Sequence, residues 1–339
     1  MKVLLLVVAL IGLALADEVS DRQQFSRFLN EHRRLYANEE VESRFRVFQQ
    51  NLRVIEQLNE QNPYATFGVT EYADLSSEEF IALKTSVRPD TIPLTNEERR
   101  LARVDMLKNA AAPYEWSWVA QGKVPPVVNQ GSCGSCWAFS AAEAVSSVAA
   151  VQQSGPVYQL APQEFVDCDR RSHGCSGGWP HQAFMYMIEN NRKVAQESYY
   201  PYHARQASCY AQQVQGAVGI ADYGFVSGSA SVAARDGDVM NACYAYGILS
   251  VAIDATAFQH YSGGVITNPS SCGGRINHAV NIVGYATDSH AGEYWLVKNS
   301  WGSSWGEGGF GRIARGYGTY GICQINTYVA AACARSGCN

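Results

Sequence analysis

All ten cysteines of the 339-residue chain lie at or beyond residue 133. They are Cys133, Cys136, Cys168, Cys175, Cys209, Cys243, Cys272, Cys323, Cys333 and Cys338. What they mean depends on the compartment, and the amino terminus indicates one. Lys2 precedes an almost unbroken apolar run from Val3 to Leu15, and Ala14-Leu15-Ala16 has the small-x-small form accepted by a signal peptidase. The run is shorter than the roughly 20 residues of a spanning helix, and polar sequence starts at Asp17, so a secretory leader cleaved after Ala16 is expected rather than an anchor. Cysteines in such a chain form disulfides. The Cys-free, charged piece that follows the leader and the Gly-, Tyr- and Cys-rich piece beyond about residue 112 then read as a removable prosegment and a disulfide-bearing domain. A permanent amino-terminal domain is the other reading. With 47 % hydrophobic residues the chain can bury sizeable cores, and 26 Lys and Arg against 31 Asp and Glu argue against a polyanion-binding surface, hence against a nucleic-acid partner.

The Cys-free piece carries a long helix. Glu40, Arg44, Phe48, Asn51, Ile55 and Asn59 recur at spacings that place all six on one face of a helix ending before Pro63. Read locally, Phe48 and Ile55 enter a core and Glu40 pairs with Arg44 one turn on. Ser76 and Glu79 form a capping box for a short helix through about Leu83. From there Pro89, Pro93 and a charged stretch to Lys108 read as an extended, exposed linker.

The chemistry lies in the second piece. Gln130-Gly-Ser-Cys133-Gly-Ser-Cys136-Trp137 leads into an Ala-rich stretch with helical spacing that stops at Gly155-Pro156. Cys136 therefore starts a helix, where unpaired amides and the positive end of the dipole lower a thiol pKa and favour the nucleophilic thiolate. A zinc site lacks a second ligand pair, a thioredoxin-like couple lacks its βαβ surroundings, and cysteines three apart at a helix start rarely bond each other. A thiol nucleophile needs a base and an orienting group. His278 opens the apolar run around Ile282 to Tyr285, and Asn299 follows a second strand at Tyr294 to Val297, so two neighbouring strands can hold imidazole and amide together.

These residues resemble the papain-like cysteine peptidases of the cathepsin L type. The resemblance rests on C-G-S-C-W at 133 to 137, N-H-A-V at 277 to 280 and N-S-W-G-S-S-W-G-E-G-G-F at 299 to 310. The prosegment stripe matches E-x3-R-x3-F-x2-N-x3-I-x3-N without departure. Gly68 to Asp74 matches G-x-N-x-F-x-D with Thr70 and Tyr72 in place of Asn and Phe. The resemblance implies an α+β, papain-like two-lobed fold: a helical lobe and a β-barrel-like lobe with the active-site cleft between, preceded by a mainly helical prosegment. It implies a leader over 1–16, an inhibitory propeptide over 17–111 and a peptidase domain over 112–339, with the mature chain starting near Ala110 to Ala112.

By the same resemblance Cys136 is the nucleophile, His278 its ion-pair partner and general acid or base, and Asn299 the residue that holds the imidazole. Trp301 shields that contact, and Gln130 contributes to the oxyanion hole. Gly177, Gly178, Trp179 and Pro180 line the cleft edge. Ala252, Ala279 and Tyr328 complete the pocket for the second residue before the scissile bond, which should prefer Val, Leu or Pro to Phe. Implied disulfides join Cys133 to Cys175, Cys168 to Cys209 and Cys272 to Cys323. Cys243, Cys333 and Cys338 are left unexplained; a Cys333–Cys338 bond would staple the carboxyl terminus, and the alternatives pair Cys243 with either.

The expected activity is endopeptidase, since no inserted loop with paired histidines follows Cys175 and His173, His181 and His203 are scattered. Removal of the propeptide is expected at acid pH. No cofactor or metal is implied. The expected partners are protein or peptide substrates, the chain's own propeptide and cystatin-like inhibitors, acting on a monomer without a membrane anchor. An inactive peptide binder would lack Cys136, His278 or Gln130, and an inhibitor or storage protein would not process itself. Asn268 is followed by Pro and no other Asn-x-Ser/Thr acceptor exists, so secretion, a digestive vacuole and a lysosome reached without glycan sorting all stay open.

Overall fold

The structure, a computed structural model, describes residues 2–87, 111–227 and 232–338, with the backbone alone for residues 2–16 and 337. The expected linker from Pro89 to Lys108, and Ala110, lie outside the described residues, as do the side chains of the expected leader.

Helix α1 (Lys2–Glu31) runs through Ala16 without a break, and α2 (Asn38–Gln61) packs on it through Phe25, Phe28, Phe45, Phe48 and Leu52. The stripe on α2 is only partly an apolar seam. Phe48, Asn51 and Ile55 are buried, and Asn51 Nδ2 donates to the carbonyls of Ala73 and Leu75 at 2.8 Å each. Asn59 exchanges two 2.9 Å hydrogen bonds with the backbone of Phe67. The amides thus satisfy backbone groups of the returning chain, at the end of its short strand Ala65–Phe67 and in the turns that follow. Arg44 differs from the local expectation: it pairs with Glu79 at 2.7 Å and donates to the Asp74 carbonyl, while Glu40 stays exposed. Its face of α2 looks toward the returning chain, so the acidic residue within reach is across the turn. Glu79 also closes the capping box, accepting from the Ser76 N–H at 2.9 Å while its own N–H donates to Ser76 Oγ at 3.2 Å. The capped helix, α3, spans Ser77–Lys84.

In the domain that follows, α4 (Cys136–Ser147) is buried at every position. Its Ala-rich sequence allows this, since small side chains let neighbours approach on all sides. Helices α5 (Pro162–Cys168) and α6 (Pro180–Glu189) pack beside it around Trp137, Phe165 and Phe184. Four short strands come first along the chain: β1 (Ala65–Phe67), β2 (Trp116–Ser117), β3 (Val194–Ala195) and β4 (Gly216–Val218). The second lobe is a sheet. Strands β5 (Asp222–Phe225), β6 (Leu249–Ile253), β7 (Tyr261–Ile266), β8 (His278–Asp288), β9 (Gly292–Lys298), β10 (Phe310–Ala314) and β11 (Tyr328–Cys333) lie in the order β7-β10-β9-β8-β6-β11-β5. All neighbours are antiparallel except β10 and β7. A short strand at Trp116–Ser117 adds to β8. Helix α7 (Asp236–Tyr246) covers one side. Leu249, Val251, Ile282, Val297 and Trp301 belong to the core of this lobe.

The sheet also reaches into the prosegment. Residues Ala65–Phe67 pair antiparallel with β7, so the prosegment supplies an edge strand of the larger sheet. Disulfides join Cys133 to Cys175, Cys168 to Cys209, Cys272 to Cys323 and Cys333 to Cys338, leaving Cys136 and Cys243 as buried thiols.

Candidate active site

Cys136 occupies the first position of α4, where the helix still has amides without intrahelical acceptors. The preceding loop is tied to the Gly174–Ser176 turn of the same lobe by Cys133–Cys175. Across the lobe boundary His278 is the first residue of β8, and Ala279 beside it sends its backbone N–H to Cys136 Sγ at 3.4 Å. His278 Nε2 lies 2.8 Å from Asn299 Oδ1. The Ser300 N–H donates to that same oxygen at 2.8 Å, which fixes the amide with its oxygen toward the ring. The imidazole therefore donates from Nε2. Among the described residues His278 Nδ1 is buried with no hydrogen-bond partner, as required of an atom kept for the thiol. Trp301 stacks on the imidazole, centroids 4.6 Å apart and planes 29° apart, and excludes water from the Asn299 side.

Gln130 is wholly buried and spans both lobes. Its Oε1 accepts from Ser300 Oγ at 2.8 Å and its backbone N–H donates to the Ser300 carbonyl at 2.8 Å. Its Nε2 donates to the Cys133 carbonyl at 3.0 Å and to the Lys84 carbonyl at 3.2 Å. Lys84 is the last residue of α3, so a prosegment carbonyl occupies the donor that sequence reasoning assigned to an oxyanion.

Ser86 and Val87, two and three residues further on, continue along the cleft. The N–H groups of Ser86 and Val87 both donate to the Asn277 carbonyl, at 3.0 and 2.9 Å, and Ser86 Oγ lies 3.1 Å from Cys136 Sγ. Gly177, at φ +116°, allows this approach: a Cβ there would sit 2.2 Å from the Ser86 carbonyl oxygen. Gly178 is packed instead on Ser172 and Trp137, inside the lobe. Val87 is buried in the same cluster as Trp179, Ala252, Ala279 and Tyr328. Ala252 pairs with Ala279 on one side and with Tyr328 on the other, which brings three residues distant in sequence to one wall. Pro180 starts α6 directly after Trp179. The Tyr328 hydroxyl is already engaged, accepting from the His181 N–H at 3.1 Å and lying 3.1 Å from His181 Nδ1.

Burial changes the electrostatics expected of a helix start. It pushes the Cys136 thiol up, against the opposing pull of the Ser86 hydroxyl and the Ala279 amide. Burial likewise pushes His278 down to about 4; the Asn299 contact opposes this and the nearby Lys84 charge adds to it. With the prosegment in place, thiol and imidazole are both held neutral. The depressed thiol pKa anticipated from the helix dipole is overridden by removal of the site from water.

Residues 112–333 match the family described as papain family cysteine protease. The chain belongs to that family. Residues 25–80 match the cathepsin propeptide inhibitor domain, which covers α2 and the first half of α3. Fruit bromelain of Ananas comosus is 37 % identical over 317 residues, covering 91 % of this chain and 86 % of its own length. Papain of Carica papaya is 33 % identical, covering 90 % and 85 %. The solved recombinant stem bromelain precursor aligns with a TM-score of 0.77 at 33 % identity, covering 92 % of this chain and 98 % of that chain. The protein is thus a cysteine protease that carries its own propeptide inhibitor domain.

Sequence reading missed several residues that complete the papain-family site. Lys84, Ser86 and Val87 lie beyond the recognisable prosegment stripe, at a helix end with no periodicity to mark them. Lys298 is buried next to Asn299 and forms an ion pair with Glu143 of α4, while Nζ also donates to the carbonyls of Pro125 and Pro126 at 2.8 and 2.9 Å. A lysine inside an apolar strand was the available signal. Ser300 was signalled only by its place in the N-S-W-G run.

Proposed function

We propose that Cys136, His278, Asn299 and Gln130 carry out peptide-bond hydrolysis as an endopeptidase, with residues 1–16 a leader, 17–111 the propeptide and 112–339 the enzyme. The observation that supports this most is the prosegment itself, whose Lys84 carbonyl and Ser86 hydroxyl rest on the donor of Gln130 and the sulfur of Cys136. An extended chain fits the groove there.

Once the prosegment leaves, water re-enters, His278 regains basicity, and its Nδ1 accepts the Cys136 proton to form a thiolate–imidazolium pair. The thiolate attacks the scissile carbonyl carbon. The resulting oxyanion takes the hydrogen bond that Gln130 Nε2 gives to Lys84, together with the Cys136 backbone N–H. As the C–N bond breaks, imidazolium returns the proton to the leaving amine and an acyl-enzyme thioester remains. Neutral His278 then takes a proton from water as the hydroxide oxygen bonds to the acyl carbon; the carbon–sulfur bond breaks, which frees the carboxylic product and leaves the Cys136 thiolate beside the imidazolium. Throughout, Asn299 fixes the ring and Trp301 excludes water behind it.

Val87 packed in one cluster with Trp179, Ala252, Ala279 and Tyr328 favours a branched, small apolar residue at the second position before the scissile bond. Val, Leu or Pro should exceed Phe there because the Tyr328 ring closes the floor. Release of the propeptide belongs at acid pH, after a secretory route that ends outside the cell or in a lysosome or digestive vacuole. The free cleft of a monomeric enzyme then suits cystatin-like inhibitors. The test is brief iodoacetamide treatment of acid-processed protein at about pH 5, with the label located by peptide mapping, where an ordinary thiol of pKa about 8.5 barely reacts. Rapid single labelling at Cys136 is expected. Labelling elsewhere, or none with the prosegment gone, overturns the assignment.

A further inference from the structure

The loop from Gln130 to Ser135 bears both groups assigned to the oxyanion: the Gln130 side chain at one end and, just past the other, the Cys136 N–H. Such a loop needs its ends held at a fixed spacing, because two donors stabilise a developing oxyanion only if both aim at one point. Gly131, at φ +61°, and the Cys133–Cys175 bond shape its middle. The Cys133 carbonyl accepts from Gln130 Nε2 at 3.0 Å and from the Ser135 N–H at 2.8 Å, but the first of these bonds uses the donor that the oxyanion needs.

We propose that Tyr202 is a positioning residue for the oxyanion site, its hydroxyl clamping the two ends of this loop together. Its OH donates to the Gln130 carbonyl at 2.8 Å and lies 2.6 Å from Ser135 Oγ. With the phenol proton committed to Gln130, Ser135 is the donor of the 2.6 Å bond, so the relay runs from Ser135 to Tyr202 to Gln130, with the Cys133 carbonyl a longer contact of Ser135 Oγ at 3.3 Å. Burial of the phenol pushes it up to about 12, so the proton stays in place across the working range.

Tyr202 is itself firmly seated. Its ring meets Phe139 of α4 edge-on, with centroids 4.7 Å apart. On one side Tyr200 is buried, stacks on Tyr210 and donates to Asp167 at 3.1 Å. On the other, the His203 N–H donates to Gln163 Oε1 at 2.9 Å, and Gln163 Nε2 donates to the Arg205 carbonyl at 2.7 Å. Gln163 and Asp167 both belong to α5, so the segment that carries Tyr202 is bolted to that helix. Ala204 completes the fit: a Cβ at Gly131 would lie 3.3 Å from the Ala204 Cβ. Tyr202 touches no reacting atom, and its influence passes through Gln130 and Ser135.

This role rests on the assignment of Cys136 and Gln130 above. The test uses Tyr202→Phe, which keeps the ring, and Ser135→Ala, each as the acid-processed full chain, with added unmodified enzyme removing the prosegment where a variant does not process itself. Three readouts are compared: kcat and KM on a peptide amide, the inhibition constant of a peptide aldehyde, and the rate of iodoacetamide alkylation. The aldehyde adduct places an oxygen in the oxyanion site, whereas alkylation displaces iodide at a saturated carbon and does not use that site. For Tyr202→Phe, kcat should fall about ten-fold with KM nearly unchanged, and the aldehyde should bind about ten-fold more weakly. Alkylation should keep its rate. Ser135→Ala should fall less, and the double variant should match Tyr202→Phe, since Ser135 acts through the phenol. Unchanged kcat and aldehyde binding would overturn the proposal, as would a parallel fall in alkylation, which marks general distortion of α4. Failure of the unmodified enzyme to label at Cys136 would instead overturn the assignment beneath it.

Discussion

The hydroxyl of Ser86 lies 3.1 Å from the sulfur of Cys136, fifty residues further along the same chain. The prosegment therefore puts a polar side chain against the thiol and removes it from water at the same time, and burial pushes the thiol pKa up. Attached, the prosegment suppresses reactivity as well as access. Iodoacetamide should label Cys136 in the intact chain at least about ten-fold more slowly than in the processed enzyme at pH 7, because a raised pKa leaves little thiolate. Equal rates, measured by intact mass with time, would remove this explanation of latency.

Prosegment release should follow the titration of its carboxylates. The Arg44 hydrogen bond holds Glu79 below the usual carboxylate range. A carboxyl with a depressed folded pKa contributes stability above its unfolded value of about 4.3, and that contribution is lost as pH falls through the folded value. Glu79→Gln keeps a side chain able to serve the capping box but cannot pair with Arg44. Processing of Glu79→Gln should begin at higher pH than that of the parent, followed on gels over pH 4 to 7. An unshifted onset would mean that other groups govern release.

Tyr328 has its hydroxyl committed to His181 and its ring in the pocket cluster, so the floor offers substrate an apolar surface. Tyr328→Ala should deepen the pocket and raise kcat/KM for Phe relative to Val at the second position before the scissile bond by about ten-fold. Removing a fully buried ring should also cost about 3 kcal/mol of stability. Paired fluorogenic peptides and a denaturant midpoint read the two effects, and an unchanged Phe to Val ratio would place the pocket floor elsewhere.

The buried ion pair between Lys298 and Glu143 links the strand end that bears Asn299 to the helix that bears Cys136. Glu143→Ala leaves a buried ammonium beside the carbonyls of Pro125 and Pro126 without its counter-charge and should destabilise by about 3–5 kcal/mol. Adding Lys298→Met should restore a good part of that loss, because the charge left uncompensated is gone. If the double variant is as unstable as the single, packing rather than charge explains the effect.

Much of the site was legible because papain-family chemistry is concentrated in short runs. Cys136 stood at a helix start, His278 and Asn299 at the edges of strand-like runs, and Gln130 just before the cysteine motif. The six-residue stripe on α2 was readable as one helical face, yet Arg44 faces Glu79 rather than Glu40, since local spacing does not say which neighbour lies across a turn. Lys84, Ser86 and Val87 could not be found from pattern at all. Their role comes from where α3 ends relative to a cleft formed by residues far along the chain, from Gln130 to Tyr328. The same holds for Tyr202 and His181, ordinary residues in sequence whose polar atoms matter only through partners supplied by other segments.

The family, the helix and strand character of the main elements and the reactive residue types are all readable along the chain, because these depend on periodicity, capping and short-range motifs. Tertiary structure alone decided the ionisation of the thiol and imidazole, the cleft residues contributed by the prosegment and the partners of the buried polar groups. Burial and hydrogen bonding are properties of what surrounds a residue, and most of those surroundings come from distant parts of the chain.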